Sequence, residues 1–384
     1  MRRLAVLTVF SAFLSACGES GGSTPLVARE RGPGWRLSVS PVLVLGVADG
    51  AVEQEFDRVT DALHLPDGRV VVANDGSAEL RYFAGDGRFL ASAGRRGQGP
   101  GEFQSIARLW RAGGDTVVAY DPLLSRLTTF AGPGRLVGVS SLRPVTGGGP
   151  VPPELLGRFR DGTFLARALA PLPLDAPPGA RRVPVAYFRV RPGDSTATLL
   201  GHFPGDESFV VREGSGVSAN QPMFGRRTYV AVAGDRFYVG NSDTYQIAVH
   251  TADGGLLRSI RAAQPNAPVT RAHVERYRQG YLAQVEPESR PRLETILAQM
   301  PVPSTFPAHG RMLVDTDANL WVAEYPRPGA GWQVWNVFDA RGRWLGPVEM
   351  PAQFRITAVG SGKVLGVLHG EREVEQVRAY RLMR

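Results

Sequence analysis

Val71-Val72-Ala73-Asn74 is the first of six copies of one phrase, in which two apolar residues run into Ala or Gly. The other copies are Val117-Val118-Ala119-Tyr120, Phe164-Leu165-Ala166-Arg167, Tyr238-Val239-Gly240-Asn241, Trp321-Val322-Ala323-Glu324 and Val364-Leu365-Gly366-Val367. Their small residues are 46, 47, 74, 83 and 43 positions apart. A period of about 45 residues with short strands indicates a propeller. We therefore predict an all-β, six-bladed β-propeller of four-stranded antiparallel blades over residues 35–384.

The first unit shows the layout of a blade most clearly. Its four strands are predicted at Val59–Leu65, Arg69–Asn74, Glu79–Phe83 and Arg88–Ala93, with tight turns between them. The last unit has only three strands, at Ile356–Val359, Lys363–Val367 and Glu375–Leu382. The N-terminal strand Trp35–Val47 is expected to add the fourth and to close the ring, because exposed strand edges are a liability.

Alternating strand direction sorts the connecting segments onto two faces of the propeller. The long segments all fall on one face, at 143–156, 168–184, 204–227, 261–310 and 325–331. The longest holds a helical insertion over about 270–300, between blades four and five. In it Thr270 caps a helix over Arg271–Val285, and a second helix runs from Pro291 to Met300. Because rigid scaffolds carry binding residues on such loops, we expect the functional site on this face.

Charge and cysteine content exclude several classes of function. The formal net charge is +8, but the basic residues are scattered rather than gathered in a stripe with interleaved aromatic residues. We therefore expect no nucleic-acid partner. Cys17 is the only cysteine, which excludes disulfides and thiolate metal sites from the domain that follows it.

The N-terminus has the pattern of an export signal. Two arginines precede the apolar stretch Leu4–Leu14, which is too short to span a membrane. We assign residues 1–16 to a signal peptide and residues 17–34 to a flexible tether. The run Leu14-Ser15-Ala16-Cys17 resembles the lipobox of bacterial lipoproteins. This resemblance implies acylation of Cys17, anchoring in a lipid membrane and, because Gly18 follows, an outer-membrane location facing the periplasm or the cell surface.

The connector after the first unit carries a further resemblance. Gly94 to Phe103 reads Gly-Arg-Arg-Gly-Gln-Gly-Pro-Gly-Glu-Phe and resembles the blade connectors of NHL-type six-bladed β-propellers. The chain as a whole resembles bacterial six-bladed β-propeller lipoproteins, most strongly over 56–130 and most weakly over 145–227. A phosphate-binding loop would be followed by a helix with Lys and Ser or Thr, whereas another strand follows here. We therefore interpret these glycines as a structural turn.

The candidate site consists of residues that end or follow the second strand of each unit. They are Asn74, Asp75, Tyr120, Asp121, Arg167, Asn241, Asp243, Glu324 and, in the last unit, His369. We expect their side chains to converge at the central channel. The alternative is a structural role, because Asp and Asn at strand ends commonly cap turns.

Two functions follow from this arrangement. The first is a non-enzymatic binding or scaffolding module that engages a protein, peptide or glycan through the long-loop face and needs no cofactor. The second is a divalent-metal-dependent hydrolase, because a resemblance to six-bladed calcium-dependent lactonases implies a Ca²⁺ site at the channel, used in lactonase-like or esterase-like chemistry. Its ligands would be Asn74, Asp121, Asn241 and Glu324, whose oxygens suit a hard cation. No catalytic residue is assigned, because residues 35–384, the predicted propeller, hold no Gly-x-Ser-x-Gly motif.

Overall fold

The structure is a computed structural model that describes residues 34–47, 50–145, 151–169, 172–173, 175–213, 216–369 and 375–383. The strands of the N-terminal half are β1 (Arg36–Leu37), β2 (Leu43–Leu45), β3 (Val59–His64), β4 (Val70–Asn74), β5 (Glu79–Phe83), β6 (Phe89–Ala93), β7 (Arg108–Arg111), β8 (Thr116–Asp121), β9 (Arg126–Ala131), β10 (Arg135–Ser141), β11 (Glu154–Arg158), β12 (Phe164–Arg167), β13 (Gly179–Arg181) and β14 (Pro184–Val190). The signal peptide, Cys17 and the tether up to residue 33 lie outside the described residues.

The C-terminal half adds fourteen strands and two α-helices. They are β15 (Ala197–Pro204), β16 (Ser208–Glu213), β17 (Gly216–Asn220), β18 (Tyr229–Ala233), β19 (Arg236–Gly240), β20 (Gln246–Thr251), β21 (Leu256–Arg261), α1 (Arg271–Ala283), α2 (Arg290–Gln299), β22 (Met312–Val314), β23 (Leu320–Ala323), β24 (Trp332–Phe338), β25 (Trp344–Pro351), β26 (Phe354–Gly360), β27 (Lys363–His369) and β28 (Glu375–Met383). Short 3-10 helices occur at Val52–Gln54 and Pro287–Ser289. In the part of the chain described, no helix is both long and apolar enough to cross a membrane.

The strands form antiparallel sheets in which neighbours in sequence are neighbours in space. Five sheets have four strands each: β3 to β6, β7 to β10, β11 with β12, β14 and β15, β18 to β21, and β22 to β25. A sixth combines β26, β27 and β28 with the two N-terminal strands. The predicted all-β class and the four-stranded antiparallel unit are therefore confirmed.

The sheets meet along their first strands. β3 contacts β7 and β26, and β18 contacts β11 and β22. Between the sheets lie apolar layers; one joins Leu80 and Tyr82 of β5 to Phe103, Leu109 and Phe130 of the next unit. First strands therefore connect neighbouring sheets, while second strands such as β4 and β23 are the more completely buried.

Tight packing explains the Ala or Gly in each repeated phrase. A Cβ at Gly240 would lie 2.6 Å from the His309 ring, and a Cβ at Gly366 would lie 2.7 Å from the Phe354 ring. The apolar residues before the small one are buried, with Val71 and Val72 both 0% exposed. The phrase therefore marks the most crowded point of the second strand, where only a small side chain fits.

The N-terminal segment pairs with the last strand, as predicted. Arg36 lies opposite Met383 in β1, and Leu43 lies opposite Ala379 in β2. The predicted single strand 35–47 is thus two short strands with a bend between them. The Trp35 ring packs edge-on against Trp321 at a centroid distance of 5.7 Å, which fixes the segment against the neighbouring sheet.

The connector from Gly94 to Phe103 is a structural turn that a carboxylate holds together. Glu102 accepts a hydrogen bond from the Gly99 amide at 2.7 Å and from Arg95 at 2.8 Å. Gly94 has a φ of +92°, which favours glycine, and its missing side chain leaves room for the buried Phe103 ring. The Gly99 amide therefore donates to Glu102 of the same loop rather than being free to bind a phosphate.

The long connectors form a separate layer, the cap, which comprises β13, β16, β17, α1 and α2. The three strands make an additional sheet that the sequence did not predict. Phe209 and Val211 of β16 pack with Ile296 and Leu297 of α2. The predicted helices are confirmed with slightly different ends, and the Thr270 side chain accepts the His273 amide as a helix cap.

Candidate functional site

Asn74 and Asp75 connect the first sheet to its surroundings. The side-chain oxygen of Asn74 accepts the Asp57 amide at 2.8 Å, and its amide group donates to the Ser77 hydroxyl at 2.8 Å. The Asp75 carboxylate accepts the Ile106 amide at 2.7 Å, on the connector to the next sheet. Both side chains are buried. The structure therefore gives them the turn-stabilising role that was the alternative for such residues.

Asp121 organises the second sheet in the same way. Its side chain is 0% exposed. One carboxylate oxygen accepts the amides of Gln104 and Ser105 at 2.7 and 3.2 Å, and the other accepts the Leu124 amide at 2.9 Å. Three backbone donors satisfy this carboxylate.

Asn241 and Asp243 lie in the turn that follows β19. The Asn241 side chain accepts the Asp243 amide at 3.2 Å. Arg182, from the connector before β14, donates to the Asp243 carboxylate at 2.7 Å and to the Asn241 carbonyl at 2.8 Å. The pair thus attaches the third unit's long connector to the fourth sheet.

Glu324 and His369 lie apart from these turns. Glu324 lines a cavity of about 40 Å³ together with Tyr245 and Asn336, which is large enough for a water molecule. Its side chain makes no hydrogen bond or ion pair with the residues that the structure describes. His369 is exposed, and its Nε2 lies 3.0 Å from Glu375.

Tyr120 lines a larger opening, here named the entrance cavity, whereas Arg167 does not line it and instead donates to Glu154 on its wall. This cavity has a volume of about 580 Å³ and lies between the second and third units. Its polar wall consists of Arg108, Tyr120 and Glu154, and its apolar wall includes Val151, Leu155 and Leu169. A concave, mostly apolar site with a few convergent polar groups is the usual form of a ligand pocket.

The charges at the entrance cavity are partly paired. Arg167 donates to Glu154 at 2.7 Å, so the negative charge of this carboxylate is paired with a guanidinium group. Burial raises the pKa of Tyr120 to about 12, and the carboxylates of Glu154 and Asp121 act in the same direction. The phenol therefore stays protonated at neutral pH and is available as a hydrogen-bond donor.

Arginines at the starts of first strands form a second polar group, which the sequence interpretation missed. Arg108 begins β7, Arg311 directly precedes β22, and Arg355 is the second residue of β26. Asp61, in β3, lies among them, and its carboxylate accepts the Leu109 amide at 2.9 Å. Their position in the chain could have identified them. Each arginine lies near the start of a first strand, which is the neighbour of the second strand that carries the predicted site residues.

Burial and proximity perturb these groups. Burial raises the pKa of Asp61, although its amide bonds and the charges of Arg108 and Arg355 oppose this. Burial lowers the pKa of Arg311, and Arg108 and Arg355 lower it further. Arg311 is nevertheless exposed to solvent.

No metal centre is evident among the described residues. In them, no three His, Cys, Asp or Glu side chains are grouped so that they could hold a metal ion. Asn74 and Asp121, two of the four residues suggested as calcium ligands, direct oxygens at backbone amides. The calcium site remains a prediction for experiment.

Comparison with known proteins identifies the type of fold. No family model and no curated protein matches the sequence. The structure is similar to that of a protein inferred to be exported in Bacteroides fragilis, with 10% identity, a TM-score of 0.50, and coverage of 92% of this chain and 96% of the other. Virginiamycin B lyase from Staphylococcus aureus gives 10% identity, a TM-score of 0.43, and coverage of 91% and 100%. The similarity at a TM-score of 0.50 agrees with the β-propeller fold that the array of four-stranded antiparallel sheets indicates.

Proposed function

We propose that this protein is a non-enzymatic binding module, anchored outside the cytoplasm, whose ligand enters the channel at the entrance cavity. The proposal takes the six sheets as six blades of one ring, closed by pairing of β1 and β2 with β28. The contacts between first strands support this arrangement, since innermost strands of neighbouring blades touch around a propeller's channel.

The entrance cavity is the observation that supports the binding function most directly. Its volume of about 580 Å³ falls within the range of small-ligand sites. Leu155 and Leu169 offer apolar surface, while Tyr120 and Arg108 offer hydrogen-bond donors. A peptide or glycan combines apolar faces with carbonyl and hydroxyl oxygens, and it therefore matches this wall. The cavity also borders long connectors, as expected for a binding face.

The N-terminal sequence supports the proposed location. The run Leu14-Ser15-Ala16-Cys17 supports acylation of Cys17 and an outer-membrane anchor facing the periplasm or the cell surface. The similarity to a protein inferred to be exported is consistent with a location outside the cytoplasm. We place the long-loop face at the end of a flexible tether, where it can reach soluble ligands. Metabolic labelling with an alkyne fatty acid tests this: the wild type should be labelled, and Cys17→Ser should not.

The binding function is tested by blocking the entrance cavity. Val151 lines the cavity and is 42% exposed, so Val151→Trp fills it with little disturbance of the core. Leu136→Trp is the matched control, because Leu136 is 40% exposed on the outer strand β10. The full-length protein is screened by calorimetry against short peptides and oligosaccharides of one to three units. We expect ligands that the Leu136 variant retains and the Val151 variant loses; equal binding by both would refute this site.

The calcium-dependent hydrolase is the alternative, with Asn74, Asp121, Asn241 and Glu324 as ligands. It requires that the carboxylate of Asp121 exchange backbone amides for a cation. Removal of divalent ions separates the two functions, as developed below.

A further inference from the structure

We propose that this protein binds a small α-amino acid in the cavity that Glu324 lines, with the ammonium group of the ligand at Glu324 and its carboxylate at Arg327. This cavity is here named the stem cavity, because segments 264–267 and 306–308, which join the helical insertion to the sheets, form one side of it. It shares none of its described lining residues with the entrance cavity. The stem cavity is therefore a second site, and it does not depend on the proposed function.

Two opposite charges line the stem cavity without pairing. Glu324 and Arg327 are the only charged residues of its described wall. Within the described residues, neither side chain makes a hydrogen bond or an ion pair, with the other or with a third group. The wall is therefore neutral as a whole but offers separate places for a cation and for an anion. A zwitterion matches both charges, whereas a simple cation or anion meets a like charge as well as an opposite one.

The backbone holds Glu324 and Arg327 in place. The chain from Glu324 to Pro328 reads Glu-Tyr-Pro-Arg-Pro, and a proline on each side of Arg327 restricts its backbone. The Glu324 amide donates to the Val334 carbonyl at 2.8 Å, and Arg276 of α1 donates to the Pro328 carbonyl at 3.3 Å. Both ends of the segment are thus anchored. A ligand that binds the two charged groups therefore has little backbone to order, which favours binding.

The buried end of the stem cavity suits an ammonium group. Tyr245 and Phe306 are buried there, and the ring centroid of Tyr325 lies 5.8 Å from that of Phe306. Aromatic rings attract ammonium groups, and the Glu324 carboxylate on the same wall adds its charge. Burial and the charge of Glu324 both raise the pKa of Tyr245, although contact with Asn336 opposes this. The phenol therefore stays neutral, and the charge at this end is that of Glu324.

The dimensions of the cavity limit the ligand to a small one. Its volume of about 40 Å³ corresponds to about three water-sized groups. The ammonium group and the α-carbon of an amino acid fill this space. Gln264 and Arg327 are exposed, so the carboxylate of the ligand lies at the open end. The single carboxylate of the described wall also fits an ammonium group better than a calcium ion, which prefers many oxygen ligands.

The test compares amino acids with analogues that each change one feature. Calorimetry on the full-length protein measures binding of glycine and alanine. Glycinamide lacks the carboxylate, acetate lacks the ammonium group, and glycine betaine carries three methyl groups that the buried end has no room for. We expect glycine or alanine to bind, and each of the three analogues to bind at least tenfold more weakly. Calcium chloride is a further probe, because Glu324 is also a predicted calcium ligand.

Variants connect the binding to the two charges. Glu324→Gln and Arg327→Gln should each weaken binding of the amino acid at least tenfold and remove the rise in melting temperature that it produces. In Arg327→Gln, glycine should no longer bind better than glycinamide, because the partner of the carboxylate is gone. Glu349→Gln and Arg341→Gln are the controls, since Glu349 is exposed in β25 and Arg341 is exposed in the turn before it. Without ligand, all four variants should melt near the wild-type temperature, which shows that they fold.

Three results would contradict the amino-acid site. Equal binding of glycine and glycinamide, or no binding of either amino acid at about 10 mM, overturns it and leaves a cavity that holds only water. Binding that Val151→Trp abolishes and Glu324→Gln leaves intact also overturns it, because the amino acid then occupies the entrance cavity. Binding of calcium without binding of an amino acid, lost in Glu324→Gln, overturns it in favour of the calcium site.

Discussion

Replacement of Asp121 by asparagine tests whether this residue is a structural anchor or a metal ligand. The buried carboxylate accepts three backbone amides, from Gln104, Ser105 and Leu124. Asparagine has a single acceptor oxygen, so its NH₂ group must face at least one amide donor. A hydrogen bond to a charged acceptor is worth about 1.5–3 kcal/mol, and a buried donor left unpaired adds a further cost. We therefore expect Asp121→Asn to lower the free energy of unfolding by about 3 kcal/mol.

Urea unfolding of the full-length protein, followed by far-ultraviolet circular dichroism, measures this change as a shift of the midpoint at constant slope. Glu324→Gln is the control, because the Glu324 side chain makes no hydrogen bond among the described residues; its effect should stay within about 0.5 kcal/mol. The measurement is repeated in EDTA. A loss below about 1 kcal/mol, or a loss that disappears in EDTA, would refute the structural interpretation and favour a bound cation.

Three further outcomes follow from the structure. EDTA should leave the melting temperature of the wild type unchanged, and a drop that calcium reverses would show a bound cation, which the alternative function requires. Gly240→Ala should destabilise by about 1–3 kcal/mol, because its Cβ would lie 2.6 Å from the His309 ring; Gly280→Ala, where nothing lies within 4 Å, should stabilise α1 slightly. Burial lowers the pKa of His309 to about 4, so the unfolded state binds the proton first as the pH falls. Stability should therefore decrease between about pH 6.5 and pH 4 by about 3 kcal/mol, and less so in His309→Phe, as unfolding at each pH would measure.

The four-stranded units could be predicted from the sequence because buried strands carry apolar residues at regular intervals along the chain. The repeated phrase, in which two apolar residues precede a small one as in Val71-Val72-Ala73, is a local property, readable without knowledge of the neighbours. The pairing of the N-terminal segment was equally accessible, since a unit with three strands leaves an edge for a fourth. These predictions needed only the period of the chain and the cost of an unpaired strand.

The additional sheet and the arginines near the starts of the first strands could not be predicted in the same way. β13 has three residues, and its pairing of Gly179 with Val210 depends on a contact that no local pattern encodes. In β3 and β26 a bulge shifts the register, between Val59 and Asp61 in the former. A bulge exchanges the residues that face the two sides of a sheet, so simple alternation does not give the facing of the residues beyond it.

The pairing of the two N-terminal strands, β1 and β2, with the C-terminal strand β28 has a consequence for synthesis of the chain. Arg36 lies opposite Met383, so a closed loop of nearly the entire domain must form before this sheet is complete, at an entropic cost of about 5 kcal/mol. β28 lies between β27 on one side and β1 with β2 on the other. A chain that terminates before β28 therefore leaves edges open on both sides of the gap, ready for aggregation or proteolysis. Only a chain that includes β28 can pair these edges, so a truncated polypeptide differs from a full-length one by its exposed strand edges.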